Sequence, residues 1–219
     1  MSSAPTLDVE QSLHAQGSRL VAGVDEVGRG ALAGPVSVGI AVVDAGVGPV
    51  PEKLRDSKVI SRAVREALIE PVSAWVVDYA IGHAEPAEID EVGIVAALRL
   101  AWTRAYEQLA AKPDHVILDG KHNWIAVPES DLFTSSVGID VPVTMKIKAD
   151  AACASVAAAS VLAKVARDDL MRAAAQKFPA YGWEGNVGYG SAGHMQAIVE
   201  FGATEFHRRS WNLPGQSQA

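Results

Sequence analysis

Residues 19–30 read Arg-Leu-Val-Ala-Gly-Val-Asp-Glu-Val-Gly-Arg-Gly. The run from Arg19 to Asp25 is apolar between its charged ends, the pattern of a buried strand. It stops at two adjacent carboxylates, Asp25 and Glu26, followed by the glycine-bracketed turn Gly28-Arg29-Gly30. Working outward, Pro35–Val43 (PVSVGIAVV) reads as a second strand and Ala74–Ile81 (AWVVDYAI) as a third. The loop over 44–60 ends in Asp56-Ser57-Lys58, and Ser61 is placed to cap a short helix reaching Glu70. Pro86–Ala111 reads as a helix, with Ile94, Ala97, Leu98, Ala101 and Ala105 on one face. His115–Leu118 and Val141–Ile147 read as further strands, and 151–177 as a long Ala-rich helix. A glycine and aromatic loop over Tyr181–Gly193, a helix over Ser191–Phe201 and the basic group His207-Arg208-Arg209 close the chain. This order predicts an α/β fold, a mixed central sheet flanked by helices. A polar, flexible arm is expected over 1–17 and a single domain over 18–213.

A chain of 219 residues fits one domain. A hydrophobic fraction of 49% and a mean hydropathy of +0.12 exclude bulk disorder. Aromatics are only 6%, so the core must be built mainly of Ala, Val, Leu and Ile. The 19 basic and 26 acidic residues leave a net charge of -7. Proteins that grip polyanions are usually basic, so contact with nucleic acid would need a local patch or metal ions. The lone Cys153 excludes an intrachain disulfide and Cys-rich zinc sites. The N-terminus lacks a basic segment followed by an apolar one. The longest apolar stretches, Ala31–Val43 and Ala151–Ala163, run about 13 residues against the roughly 20 a bilayer requires. A cytoplasmic protein without a membrane segment is expected.

Several acids stand at strand ends. Asp25 and Glu26 close the first strand, Asp119 closes HVILD, and Asp150 follows TMKIKA. Functional groups gather at strand ends in α/β sheets. Taken singly, Asp150 could be only a helix cap and Asp119-Gly120 only a turn. Four carboxylates gathered together would not all stay ionised unaided. Hard divalent cations, Mg²⁺ or Mn²⁺, relieve that repulsion, and two such ions about 4 Å apart suit in-line attack on a phosphodiester.

VAGVDEVGRGALAGPV, Asp56-Ser57-Lys58, EPAEID at 85–90, ILDG at 117–120, AASVLAKVARD at 158–168 and GATEFHRRS at 202–210 together resemble bacterial ribonuclease HII. The resemblance covers Leu20 to Trp211. It implies a ribonuclease H-like fold and hydrolysis of the RNA strand of RNA/DNA hybrids. It also implies cleavage 5′ of single ribonucleotides embedded in duplex DNA, leaving a 3′-hydroxyl and a 5′-phosphate. It makes Asp25, Glu26, Asp119 and Asp150 the catalytic and metal-binding acids, with two Mg²⁺ or Mn²⁺ ions as cofactor, in a monomer. It assigns Gly28, Arg29 and Gly30 to the ribose, and Tyr189 to stacking on the neighbouring deoxyribose. Lys58 and Lys148 join the substrate-binding set. Lys146, Lys164, Arg167, Arg172, Arg208 and Arg209 are candidates for the same basic face, each weighed against an ordinary surface charge. Two positions depart from the family pattern: Val187 replaces a lysine before Gly188-Tyr189, and Ala149 replaces a glycine before Asp150. His194 matches a common histidine but receives no catalytic role. The competing readings are a resolvase- or integrase-like nuclease, a non-catalytic nucleic-acid binder, and a metal-free two-carboxylate glycosidase.

Overall fold

The computed structural model describes residues 4–126 and 139–215. Five strands form one mixed sheet in the order β3-β2-β1-β4-β5. They are β1 (Leu20–Val27), β2 (Val36–Asp44), β3 (Asp78–Ala84), β4 (His115–Asp119) and β5 (Val143–Lys146). β1 pairs antiparallel with β2, and β2 with β3; β1 pairs parallel with β4, and β4 with β5. Because β1 and β4 run side by side in the same direction, the carboxylates that end them emerge at one edge. This is the α/β mixed-sheet class that the order of elements predicts.

The sheet is covered on both faces. On one, α3 (Pro86–Gln108) buries Ala97, Leu98, Ala101 and Ala105 of the expected stripe, with Ile94 only partly buried and Trp102 added to it. On the other, α2 (Arg62–Trp75) and α5 (Ala154–Lys177) cover β1 and β2. The approach of α5 is unusually close. A Cβ at Gly23 would lie 2.2 Å from the Ser155 carbonyl carbon, and one at Gly39 would lie 2.5 Å from the Ala159 carbonyl oxygen. Glycines on the strands and alanines on the helix let the two backbones touch, which is how a chain poor in aromatics packs densely. A smaller aromatic core of Phe178, Tyr181, Trp183 and Phe206 sits at the far end of α5.

The structure departs from the sequence reading in several places. Where a polar arm is expected, Asp8–Ala15 form helix α1, which buries Glu10 and Leu13; residues 1–3 lie outside the described residues. Glu10 Oε1 accepts hydrogen bonds from Ser155 N at 2.9 Å and Ser155 Oγ at 2.6 Å. The amide of Thr6 donates to Ala152 O, and that of Ala154 to Thr6 O. The segment therefore caps the orphan amides of α5, a pairing across 145 residues that local sequence does not reveal.

The expected third strand starts too early. α2 runs through Pro71 to Trp75, because Leu68 and Val72, one turn apart, are both buried in the core. α3 is kinked at Gly93, whose φ is +77°. The long helix expected over 151–177 is broken at Cys153, giving α4 (Ala149–Ala152) and α5. The loop over Tyr181–Gly193 contains α6 (Trp183–Asn186) and leads into α7 (Ala192–Phe201). Among the described residues no helix is long and apolar enough to cross a membrane.

Gly23→Ala would force the α5 backbone off the sheet. Overpacking of this kind costs about 1–3 kcal/mol, so the midpoint of thermal unfolding should fall by roughly 3–10 °C. Gly48→Ala, where an added methyl meets nothing within 4 Å, should leave it unchanged. Equal melting of the two variants in a calorimeter would refute the close contact.

Candidate active site

The edge where β1 and β4 end collects the four acids singled out in the sequence. Asp25 is 2% exposed and Asp150, in the first turn of α4, is 5% exposed; Glu26 and Asp119 are half-buried. Asp119 Oδ1 accepts a hydrogen bond from Ala149 N at 2.7 Å. The end of β4 thus holds the start of α4, and Lys148 turns the chain into it with a left-handed φ of +57°. A cleft of about 540 Å³ opens there, lined by Asp56, Lys58, Asp119, Lys148 and Asp150.

Burial dominates the electrostatics. It pushes the Asp25 carboxyl up to about 7, partly offset by the nearby Ser160 hydroxyl and the Lys58 charge, and raised further by Glu26 and Asp119. Burial likewise raises Glu26, against its pairing with Arg29, and Asp119, against the Ala149 amide. Two cations hold two of the acids: Lys58 Nζ donates to Asp150 Oδ2 at 2.8 Å, and Arg29 Nη1 to Glu26 Oε1 at 3.1 Å. Asp25 Oδ2 and Glu26 Oε2 are buried with no hydrogen-bond partner. Such orphaned acceptors are costly, and they supply the hard oxygen donors a divalent cation takes. Among the described residues, no three His, Cys, Asp or Glu side chains form a ready-made metal cage. Lys58 and Arg29 occupy part of the carboxylate surface, so closing a coordination shell requires the side chains to move off these partners.

Beside the acids stand two loops, bridged by the buried Arg167, and a second buried arginine, Arg208, braces the first of them. Arg167 donates to Pro35 O, Ala33 O and Val187 O. Arg208 donates to Gly28 O, Arg29 O and Gly34 O. The Gly188 carbonyl accepts from Leu32 N and Ala33 N, so the turn at Gly28–Gly30 and the loop carrying Tyr189 form one unit. Gly28 is required twice: its φ is +84°, and a Cβ there would lie 2.0 Å from Arg167 Nε. Tyr189 is 37% exposed, with the Arg167 guanidinium 5.4 Å and Lys164 Nζ 5.9 Å from its ring centre.

This corrects part of the basic face. Arg167 and Arg208 are completely buried and turned onto carbonyl groups of the protein, so neither guanidinium reaches a phosphate outside. Lys164 is paired with Asp168 at 2.6 Å and Arg172 with Asp169 at 2.8 Å. Lys58 and Lys148 remain exposed at the cleft. The clamping role of Arg167 had a signal in the sequence, since it shares an α5 stripe with Ala163, Met171 and Ala174, all buried. Ser160 lies on the buried side of α5 and bonds Ser57 Oγ at 2.8 Å, tying the Asp56-Ser57-Lys58 loop to the helix behind Asp25.

Residues 22–213 match the sequence pattern of the family Ribonuclease HII. A ribonuclease HII of Streptomyces avermitilis is 47% identical over 208 residues, covering 94% of this chain and 83% of its own. One from Paracoccus denitrificans is 44% identical, covering 94% of this chain and 91% of its own. The crystal structure of ribonuclease H2 from Pyrococcus horikoshii superposes with a TM-score of 0.68 at 28% identity, over 88% of this chain and 94% of that one. The match spans the sheet, the four acids and both clamped loops, and the chain belongs to the ribonuclease HII family, as a ribonuclease H that hydrolyses phosphodiesters.

Proposed function

We propose that the chain cleaves the RNA strand of RNA/DNA hybrids and cuts 5′ of single ribonucleotides in duplex DNA, leaving a 3′-hydroxyl and a 5′-phosphate. The observation that carries this reading is one edge of the sheet. It presents four carboxylates, two with buried orphan oxygens, next to a glycine turn and a tyrosine loop held as one unit.

In this reading Asp25, Glu26, Asp119 and Asp150 hold two Mg²⁺ or Mn²⁺ ions. Those ions would supply positive charge at the scissile phosphate and lower the pKa of the attacking water. They would also reduce the formal charge of -7 to about -3, helping an acidic chain approach a polyanion. Asp119, fixed by the Ala149 amide, keeps its second oxygen for the ions. Lys58, released from Asp150, is free to meet a backbone phosphate at the cleft, with Lys148 beside it. The exposed Gly30 and the Gly28–Arg29 backbone offer peptide groups to a ribose 2′-hydroxyl, the group that marks RNA. The Tyr189 ring stacks on the following sugar, where a 2′-hydroxyl would clash. Val187, buried in place of the family's lysine, leaves Lys58 and Lys148 to carry the phosphate contacts.

Three outcomes test this. Asp119→Asn should lower cleavage of duplex DNA carrying one ribonucleotide by about 100-fold or more while the fold persists; retained turnover by the folded variant would remove the acid from the reaction.

Asp25 gives a pH-dependent signature. Its folded pKa, about 7, lies above the ordinary 3.8. Between these values the folded state binds more protons than the unfolded one, so this group's contribution to stability declines as pH rises through the window. In EDTA at pH 8, Asp25→Asn should therefore melt higher than the unsubstituted protein, and the gap should close near pH 4. Added Mg²⁺ should raise the melting point of the unsubstituted protein more than that of the variant. A variant that melts lower at pH 8 would contradict the assignment.

Tyr189→Ala should cut activity on the embedded ribonucleotide by roughly 5- to 100-fold, the range for a lost stacking contact, and activity on a uniform hybrid by less. Tyr189→Phe, which keeps the ring, should lose no more than about tenfold. Equal losses on both substrates would mean that Tyr189 supports the loop without reading the junction.

A further inference from the structure

Behind the Tyr189 loop runs a buried chain of hydrogen bonds that the proposed chemistry does not use. His194 Nδ1 lies 2.8 Å from the Tyr189 carbonyl oxygen. His194 Nε2 lies 3.0 Å from Trp183 Nε1 and 3.1 Å from His207 Nε2. His207 Nδ1 lies 3.0 Å from Thr204 N and 2.9 Å from Thr204 Oγ1. Both rings are buried.

The protons in this chain have one consistent arrangement. A carbonyl only accepts, so His194 Nδ1 carries a hydrogen. An indole N–H only donates, so His194 Nε2 is the lone-pair nitrogen. His207 must then donate through Nε2–H, which leaves its Nδ1 to accept from the Thr204 amide. Both imidazoles are neutral, and they are opposite tautomers. A proton added to either would set donor against donor. The other charged or titratable groups described around the pair are Tyr181, whose ring centre lies 4.8 Å from that of His207 and whose hydroxyl donates to Gly202 O, and Arg209 in the tail. Burial pushes His207 down to about 4, helped by His194 and Arg209, and lowers His194 against the Tyr189 carbonyl.

Tyr189 needs such an anchor. It lies between Gly188 and Gly190, and its partly exposed ring has the Arg167 guanidinium and Lys164 Nζ 5.4 and 5.9 Å from its centre. Its place is set through the backbone. The Gly188 carbonyl is held by Leu32 and Ala33, and the Tyr189 carbonyl by Ser191 N and His194.

We infer that His194 is a positioning residue for junction recognition. Its Nδ1–H fixes the Tyr189 peptide, and His207 behind it holds the ring in the tautomer that can donate. The inference rests on the proposed role of Tyr189.

Two substitutions divide the ring's functions. In His194→Asn the side-chain amide falls near the Nδ1 position and keeps the donor to Tyr189. In His194→Gln the amide falls near Nε2 and keeps a partner for Trp183 and His207 but leaves the Tyr189 carbonyl without it. The readout is the ratio of kcat/KM on duplex DNA with one ribonucleotide to that on a uniform RNA/DNA hybrid. His194→Asn should keep this ratio within about twofold, and His194→Gln should lower it about 3- to 10-fold, the value of one hydrogen bond. A purely structural role would lower the melting point and both activities together and leave the ratio alone, which would overturn the inference. Nitrogen-15 spectra of the histidine-labelled full chain provide a test that is independent of turnover. They should report Nδ1–H for His194 and Nε2–H for His207, with neither ring titrating near the ordinary 6.5. Identical tautomers, or titration near 6.5, would overturn it, and these spectra decide the matter should His194→Gln fail to fold. Tyr189→Ala measured alongside separates the two readings. If it leaves the ratio unchanged, the Tyr189 role has failed and the inference falls with it; if it lowers the ratio and His194→Gln does not, only the inference is overturned.

Discussion

The contact of α5 with β1 and β2 at Gly23 and Gly39 sets the geometry of everything else. With the backbones touching, the helix cannot slide or rotate without a clash. Each residue on its inner face therefore has a fixed address. Ser155 meets Glu10 at the start, Ser160 stands behind Asp25, and Arg167 reaches the two loops further on. The break at Cys153 lets the short α4 leave this line and bring Asp150 back toward Asp119.

That rigidity is what allows acids to be gathered against their own electrostatics. Burial opposes the ionised form of Asp25, Glu26 and Asp119. Lys58 and Arg29 relieve part of that cost at Asp150 and Glu26, and the orphan oxygens of Asp25 and Glu26 carry the remainder. A site of this kind is stabilised by what binds to it, as expected where function and stability conflict.

The loops beside the acids are held by a different device. Arg167 donates to carbonyl groups of two segments about 160 residues apart in the chain, and Arg208 braces the first of them, so the two behave as one surface. Main-chain carbonyls need donors when they are buried, and a guanidinium supplies several in a fixed plane. The neutral histidine pair closes the same surface from behind without adding charge to an aromatic core.

Much of this was legible in the sequence, because strand and helix patterns are local. The apolar run into Asp25-Glu26, the α3 stripe and the Ala-rich helix each declare their class by spacing alone, and the acids at strand ends follow from those boundaries. What only the tertiary structure decided are pairings between distant residues. Glu10 needs Ser155 to become a helix cap, and without it the first residues read as a polar arm. Helical spacing puts Arg167 on an apolar face but does not say what it holds, and Arg208 reads as a surface charge until its carbonyl partners are seen. The second helix reads as ending at Glu70, whereas the burial of Leu68 and Val72 carries α2 through Pro71 to Trp75. A local pattern reports which face of an element is apolar; the identity of a hydrogen-bond partner depends on which backbones meet, and that is settled only when the chain is packed.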